Sequence, residues 1–282
     1  ITLIGLVLSM LVVNAQQLKK AWVASGLEGP ESAVKYKEHY FVSNVNGQPS
    51  EKNGLGYITK LDNEGKIVKQ KWATGLNAPK GLATYGSKLY VADIDIVYVL
   101  DLNSGEIIKK YKAEGATFLN DVVVSSKGTV YISDTFGGNT IYKIENGSIS
   151  LWLKDEALDY PNGLLVKGNK LFVASWGVIT NPETFGTDIP GKLISVNLKS
   201  KKIEEVTSSI GNLDGLVLLK DGNFLVSDWI AGGLFTITKK GAANKILDLK
   251  PGSADLTLSD QNNVLLVPQM LDGTLVAYKL AY

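Results

Sequence analysis

The chain has 282 residues, 45% of them hydrophobic, with 29 glycines and a formal net charge of +1. That composition supplies a full hydrophobic core, and a charge near zero gives no electrostatic reason to expect nucleic acid or an acidic lipid surface as a partner. There is no cysteine and only one histidine, His39, which excludes disulfides, thiolate catalysis, Cys-based zinc sites and most histidine-dependent hydrolytic triads.

Residues 1–15, ITLIGLVLSMLVVNA, are apolar, uncharged and end on a small-residue site before Gln-Gln-Leu-Lys-Lys. A run this short falls below the roughly 20 residues needed to cross a bilayer and predicts a secretory signal peptide over 1–15. The expected mature chain, 16–282, is then exported to a periplasmic or extracellular location, with no stable membrane insertion. It is expected to be a monomer.

From residue 30 onward one unit recurs. An apolar run ending in a small polar or acidic residue appears as YFVSN (40–44), LYVAD (89–93), VYISD (130–134), LFVAS (171–175), FLVSD (224–228) and LLVPQ (265–269). About thirteen residues before each of these ends, a polar cluster opens a preceding strand. The clusters centre on Glu31, Lys80, Asn120, Asn162, Asp214 and Asp255, spaced by 49, 40, 42, 52 and 41 residues. After most copies comes a hairpin, such as ITKLDNEGKIVK (58–69), VLDLNSGEIIKKY (99–111) or IYKIENGSISLWL (141–153), whose Asn and Gly residues suit tight turns. No stretch carries a long helical period.

Four short strands repeated every 40–50 residues predict an all-β fold: a six-bladed β-propeller with four antiparallel strands per blade. The last unit has only three strands of its own, and the early run KKAWVAS (19–25) is free to supply the fourth and close the ring. In such a ring the first strand of each blade lies nearest the axis. The six cluster residues are therefore expected around an axial tunnel, and the Gly or Pro beside Glu31, Lys80, Asn162 and Asp214 lets backbones crowd there.

Three carboxylates and two amides without a histidine describe a hard-cation site, since calcium takes six to eight oxygen ligands and zinc prefers nitrogen or sulfur. The strand directions place the second-to-third-strand loops over this ring. The two longest, VNGQPSEKNGLG (45–56) and GVITNPETFGTDIPG (177–191), are expected to enclose a ligand. Trp176 and Trp229 follow the second strands of blades four and five, where they either wall the pocket or pack between blades. His39 falls at the opposite face and reads as a surface residue. Gly54-Leu55-Gly56 lacks the strand–turn–helix setting of a phosphate-binding loop.

At these clusters the chain resembles the gluconolactonase and senescence-marker-protein family of six-bladed propellers, with paraoxonases and strictosidine-synthase-like proteins as more distant kin. The resemblance spans roughly residues 20–280. It implies an axial divalent ion, calcium foremost with magnesium, manganese or zinc as alternatives. Its ligands would be Glu31, Asn120 in FLNDV, Asn162 in YPNGL and Asp214 in NLDGL. Two wordings compete in blade one: Glu28-Gly29-Pro30 matches gluconolactonases, and Pro30-Glu31-Ser32 matches strictosidine-synthase-like proteins. Glu31 is preferred, because its distance to Asn44 equals those of Lys80 to Asp93 and Asn162 to Ser175.

The implied activity is metal-dependent hydrolysis of a sugar lactone or small ester, with Asp214 as general base and Lys80 as a second catalytic group. Asn120, Lys80, Asp255, Trp176 and Trp229 are expected to bind substrate. Lys80 departs from the histidine of paraoxonases, and would hold a substrate anion or offset the ring's negative charge. The alternative is a non-catalytic propeller that binds a small ligand or a protein in the same pocket.

Overall fold

Six four-stranded antiparallel sheets surround one axis in the computed structural model, which describes residues 18–181, 183, 185–259 and 263–281. The signal peptide expected over 1–15 lies outside the described residues. Blade one comprises Pro30–Tyr36, His39–Asn44, Gly56–Leu61 and Ile67–Leu76, from the axis outward. The inner strands of blades two to five are Pro79–Tyr85, Leu119–Val124, Pro161–Lys167 and Leu213–Leu218. Blade six runs Thr257–Ser259, Val264–Gln269, Thr274–Leu280 and then Leu18–Ser25, so the chain's first described strand closes the ring as its spacing predicts. On the axial side the closure is completed by Asp255 N–H donating to the Glu31 carbonyl at 3.1 Å.

The apolar runs are continuous because each sheet is covered on both faces by its neighbours. The core is accordingly divided into one cluster per blade interface. Phe41, Ile58 and Trp72 of blade one meet Leu89, Val91 and Leu100 of blade two. Tyr40 and Val42, on the other face of blade one, meet Leu266, Leu275 and Ala277 of blade six. Outer strands have solvent on one side, hence the exposed lysines of Ile107–Lys112.

Each of the first five inner strands slips register just after its first residue. The breaks fall between Pro30 and Ala33, Pro79 and Leu82, Leu119 and Val122, Pro161 and Leu164, and Leu213 and Leu216. A slip of this kind re-aims side chains and frees backbone groups. A serine one residue before the end of the second strand satisfies the freed amide: Ser43 accepts from Ser32, Ser133 from Asp121 and Ser227 from Gly215, at 2.8–2.9 Å. The acidic or amide residue that ends the second strand ties down the chain entering the first. Asp93 accepts from Asn77 and Ala78, Asp134 from Phe118, and Asn44 from Glu28. The recurring spacing is thus a structural device that delivers the cluster residue to the axis.

One enclosing loop differs from expectation. Residues 177–191 fold as a separate two-stranded hairpin, Gly177–Asn181 with Gly186–Pro190, anchored where Gly191 bridges to Gly211. Fifteen residues between strands are too many to leave without their own backbone pairing.

Candidate active site

The inner strands bring Glu31, Lys80, Asn120 and Asp214 to the floor of one cavity of about 100 Å³. Its wall is aromatic: Phe118, Phe136, Trp176, Phe185 and Trp229 all line it, with Pro49 and Met270 at the roof. Phe136 is the hub of that wall. Its ring stacks on Phe185 at 4.7 Å and 18°, meets Trp176 edge-on at 5.8 Å, and lies 4.6 Å from Phe118, while Trp176 contacts Trp229 at 5.9 Å.

Asn162 is buried beside this floor, its amide donating to the Leu213 carbonyl at 3.4 Å. Asn120 Nδ2 donates to Thr135 Oγ1 at 3.1 Å, and Thr135 in turn donates to the Pro161 carbonyl. That arrangement leaves Asn120 Oδ1 buried without a partner, and Glu31 Oε2 is equally orphaned. Of the two blade-one glutamates, Glu31 is on the floor, whereas Glu28 is exposed and accepts from Tyr57 Oη at 2.8 Å.

Asp255 does not reach the pocket, and the expectation that it binds substrate there is corrected. Its carboxylate accepts from Ser32 Oγ at 2.6 Å and is held toward the far half of the tunnel. With Asp121 it lines a separate cavity of about 340 Å³ entered from the opposite face. Asp121 is fully engaged, accepting from the Val122 and Leu164 amides, each at 2.6 Å. His39 sits at the tip of the hairpin on that opposite face, where partial burial and then Lys60 pull its pKa down.

The tunnel therefore holds four buried carboxylates against one lysine. Burial, followed by the charges of Asp214, Asp255 and Asp121, pushes Glu31 well above the usual carboxylate range. Burial and then Asp255 push Asp214 up to about 8 against the opposing Asn162 hydrogen bond. Burial alone carries Asp255 to about 6 against its bonds from Ser32 and Leu256, and burial with Asp255 raises Asp121 strongly. Lys80 is pulled down to about 8 by burial, despite the attraction of Glu31, Asp93 and Asp134.

These directions make a prediction for metal-free protein. A carboxylate whose folded pKa lies above its unfolded value stabilises the fold below the unfolded value and loses that contribution as pH rises through the folded one. Stability is expected to fall between about pH 4 and pH 8, the range spanned by the unfolded carboxylates and Asp214. Urea midpoints of chelated protein should fall from about pH 5 to pH 8. A midpoint that rises steadily from pH 5 to 8 would contradict the buried charge balance.

A bound cation would relieve a set of this kind. Among the described residues, no group of three or more histidine, aspartate and glutamate side chains is arranged to hold a metal ion. A site here must instead mix carboxylate with amide oxygen, the chemistry hard cations accept. The orphaned Glu31 Oε2 and Asn120 Oδ1 are the two unpartnered donors such an ion would use, and Asp214 and Asn162 flank them.

Lys80 has a second task. Its ammonium donates to the Pro49 carbonyl at 2.7 Å and to the Ala78 carbonyl at 3.1 Å, and stands 4.3 Å from the Phe118 ring. It therefore tethers the 45–55 loop to the floor, and Lys52 pins the same loop to Asp95 at 2.7 Å. Lys80→Met is expected to release the loop, so that trypsin cuts after the exposed Lys52 at least several-fold faster than in wild type. Unchanged cleavage would show that the tether lies elsewhere.

The aromatic wall was only half legible beforehand. Trp176 and Trp229 each follow the last residue of a second strand, and Met270 occupies the same position in blade six. Phe136 is one residue further along in blade three, and Phe118 directly precedes the Leu-Asn-Asp cluster. Reading the position after every second strand as pocket-facing would have found Met270 and come within one residue of Phe136. Nothing local marks Phe185, which arrives through the separate hairpin.

No family model matches the chain, and no curated protein is detectably similar in sequence. Solved structures are similar in shape. A gluconolactonase from Xanthomonas campestris superposes with a TM-score of 0.62 at 13% identity, covering 96% of this chain and 99% of that one. A protein provisionally described as a gluconolactonase gives 0.66 at 14% identity, covering 95% and 93%. A streptogramin B lyase gives 0.63 at 12%, covering 94% and 98%. At such identities these likenesses establish the fold alone, a β-propeller whose chemistry must be argued from the side chains at its own axis.

Proposed function

We propose that this protein is an exported hydrolase of a lactone or small ester that works with a divalent cation, calcium foremost, held at the axial floor. The observation that carries the reading is the pair of orphaned buried oxygens, Glu31 Oε2 and Asn120 Oδ1, at the base of a small pocket in a tunnel whose four buried carboxylates face a single lysine. Asp214 and Asn162 complete the ligand set. Bound there, the ion would supply Lewis-acid polarisation of a carbonyl and charge for the developing oxyanion. Export rests on the apolar residues 1–15 alone.

The chain's own groups have separable roles. Asp214 is the floor carboxylate best placed to take the proton from attacking water, with Asn162 orienting it. Lys80, its ammonium fixed by two carbonyls, has one N–H left to face the substrate. The aromatic wall excludes bulk water and strengthens every charge interaction at the floor. The shape likeness to a gluconolactonase supports this reading.

The test is turnover of lactones and aryl esters by pH-stat, with calcium, magnesium, manganese or zinc supplied in turn. Wild type should hydrolyse at least one of them, and Asp214→Asn should lower kcat by about 10²–10⁴-fold. Absence of turnover with every metal removes the hydrolase reading. What then stands is ligand capture without reaction, which the engagement of Lys80 by two backbone carbonyls favours.

A further inference from the structure

The floor is polar, and the wall above it is almost entirely apolar. The roof residue Pro49 has no N–H, and its carbonyl is already taken by Lys80. Trp176 has an indole N–H, yet it donates to the Phe185 carbonyl at 3.0 Å. The remaining wall is Phe118, Phe136, Phe185, Met270 and Trp229, whose indole N–H is the one further side-chain N–H donor among these lining residues. A ligand seated here finds nearly all its hydrogen-bond partners at the floor.

The size is equally restrictive. An apolar cavity of roughly 150 Å³ holds a benzene ring, so the space of about 100 Å³ enclosed here takes only the carbonyl end of a ligand, whose body must extend along what lies outside. The apolar character continues outward along the three segments that supply the wall and roof. Leu55 is 54% exposed on the loop that carries Pro49, Ile189 is 55% exposed on the hairpin that carries Phe185, and Leu271 is 64% exposed beside Met270.

We propose that the substrate is a lactone or ester of a flat apolar or aromatic body, with one carbonyl directed to the floor, and that polyhydroxylated sugar lactones are excluded. The proposal rests on the hydrolase reading above and narrows its substrate class. A sugar lactone carries several hydroxyls around its ring, and seating it would bury them against ring faces and edges where Trp229 Nε1 offers at most one of them a partner. Each hydroxyl so stranded weakens binding by roughly tenfold or more. An aromatic ring loses nothing on the same surface and gains edge-to-face and stacked contacts with Phe136 and its neighbours. In the reaction, water adds to the carbonyl carbon and the acyl–oxygen bond breaks. The released oxygen takes the proton, and the product is a hydroxy acid, or an acid and an alcohol.

The test compares dihydrocoumarin, a benzo-fused δ-lactone, with glucono-δ-lactone on the calcium-loaded protein. The expected result is a preference of at least about 100-fold in kcat/KM for dihydrocoumarin. Phe185→Ser, at a residue 36% exposed and therefore tolerant of change, should narrow that preference by about tenfold through KM. Equal or greater kcat/KM for glucono-δ-lactone would overturn the proposal. If neither lactone is hydrolysed the hydrolase reading fails, and calorimetric titration with the same two compounds decides the ligand class on its own. Tighter binding of dihydrocoumarin, weakened in Phe185→Ser, then upholds the apolar pocket. Tighter binding of the sugar lactone, or no binding of either, overturns it.

Discussion

Calcium is expected to raise the unfolding temperature of the wild-type protein by roughly 5–10 °C, and Glu31→Gln is expected to abolish that rise. The magnitude follows from linkage. A ligand at about a hundred times its Kd adds about 2.7 kcal/mol, and for a chain of this length 1 kcal/mol moves Tm by roughly 2–4 °C. Glu31 supplies an orphaned carboxylate oxygen among three other buried acids and one lysine. Glutamine keeps the shape and removes the charge. Its effect on metal-free protein should have the opposite sign, because it also removes repulsion with Asp214 and Asp255. At pH 8 the metal-free variant should therefore unfold at a higher temperature than metal-free wild type. Hydrolysis should fall by at least about 10²–10³-fold. Asp255→Asn is the matched control: its side chain lies in the far half of the tunnel, so the calcium response should survive. Scanning calorimetry with and without EDTA measures all of these. A full calcium shift in Glu31→Gln would place any metal somewhere other than the axis.

The second large effect concerns backbone. A Cβ at Gly163 would stand 2.0 Å from the Asp214 carbonyl oxygen, and one at Gly215 would stand 2.1 Å from the Leu256 nitrogen. These glycines follow Asn162 and Asp214 in sequence, where neighbouring inner strands converge on the axis. The obstructing atoms are main chain, so they can yield only if a whole blade moves. Gly163→Ala is expected to cost about 3 kcal/mol or more, a fall in Tm of roughly 6–12 °C. Asn162 and Asp214 ride on the two strands forced apart, so activity should drop by about 10²-fold in the folded fraction. Gly168→Ala provides the contrast. That glycine has φ +59° with open space around it, so its replacement costs only about 1 kcal/mol of backbone strain. Equal urea midpoints for Gly163→Ala and wild type would mean that the strands do not meet this closely.

Much of the architecture could be read before any coordinates, because it is written in local, repeated terms. The alternation of polar cluster, apolar run and turn recurs six times, and each copy folds by the same rule. The apolar run is buried on both faces, the Asn-Gly turns close the hairpins, and the spacing from cluster to strand end is the length of one hairpin. The missing fourth strand of blade six pointed to Leu18–Ser25 for the same reason. Residues on that repeat, Glu31, Lys80, Asn120 and Asp214, were therefore predictable as a converging set.

The repeat, and with it the propeller and the residue types that face its axis, follows from local sequence. How deep each of those residues sits, and what surrounds it, depends on how the blades pack. Asp255 occupies the same place in the repeat as Asp214, yet Ser32 from the adjacent blade draws it into the far half of the tunnel. Lys80 turns from a free cation into a tether because Pro49, thirty-one positions earlier, brings a carbonyl within 2.7 Å. The aromatic wall is gathered from blades three, four and five, with Phe185 delivered by a hairpin outside the repeat. Depth, partner and dielectric are properties of contacts between blades. No single repeat contains both sides of such a contact, so none could announce it.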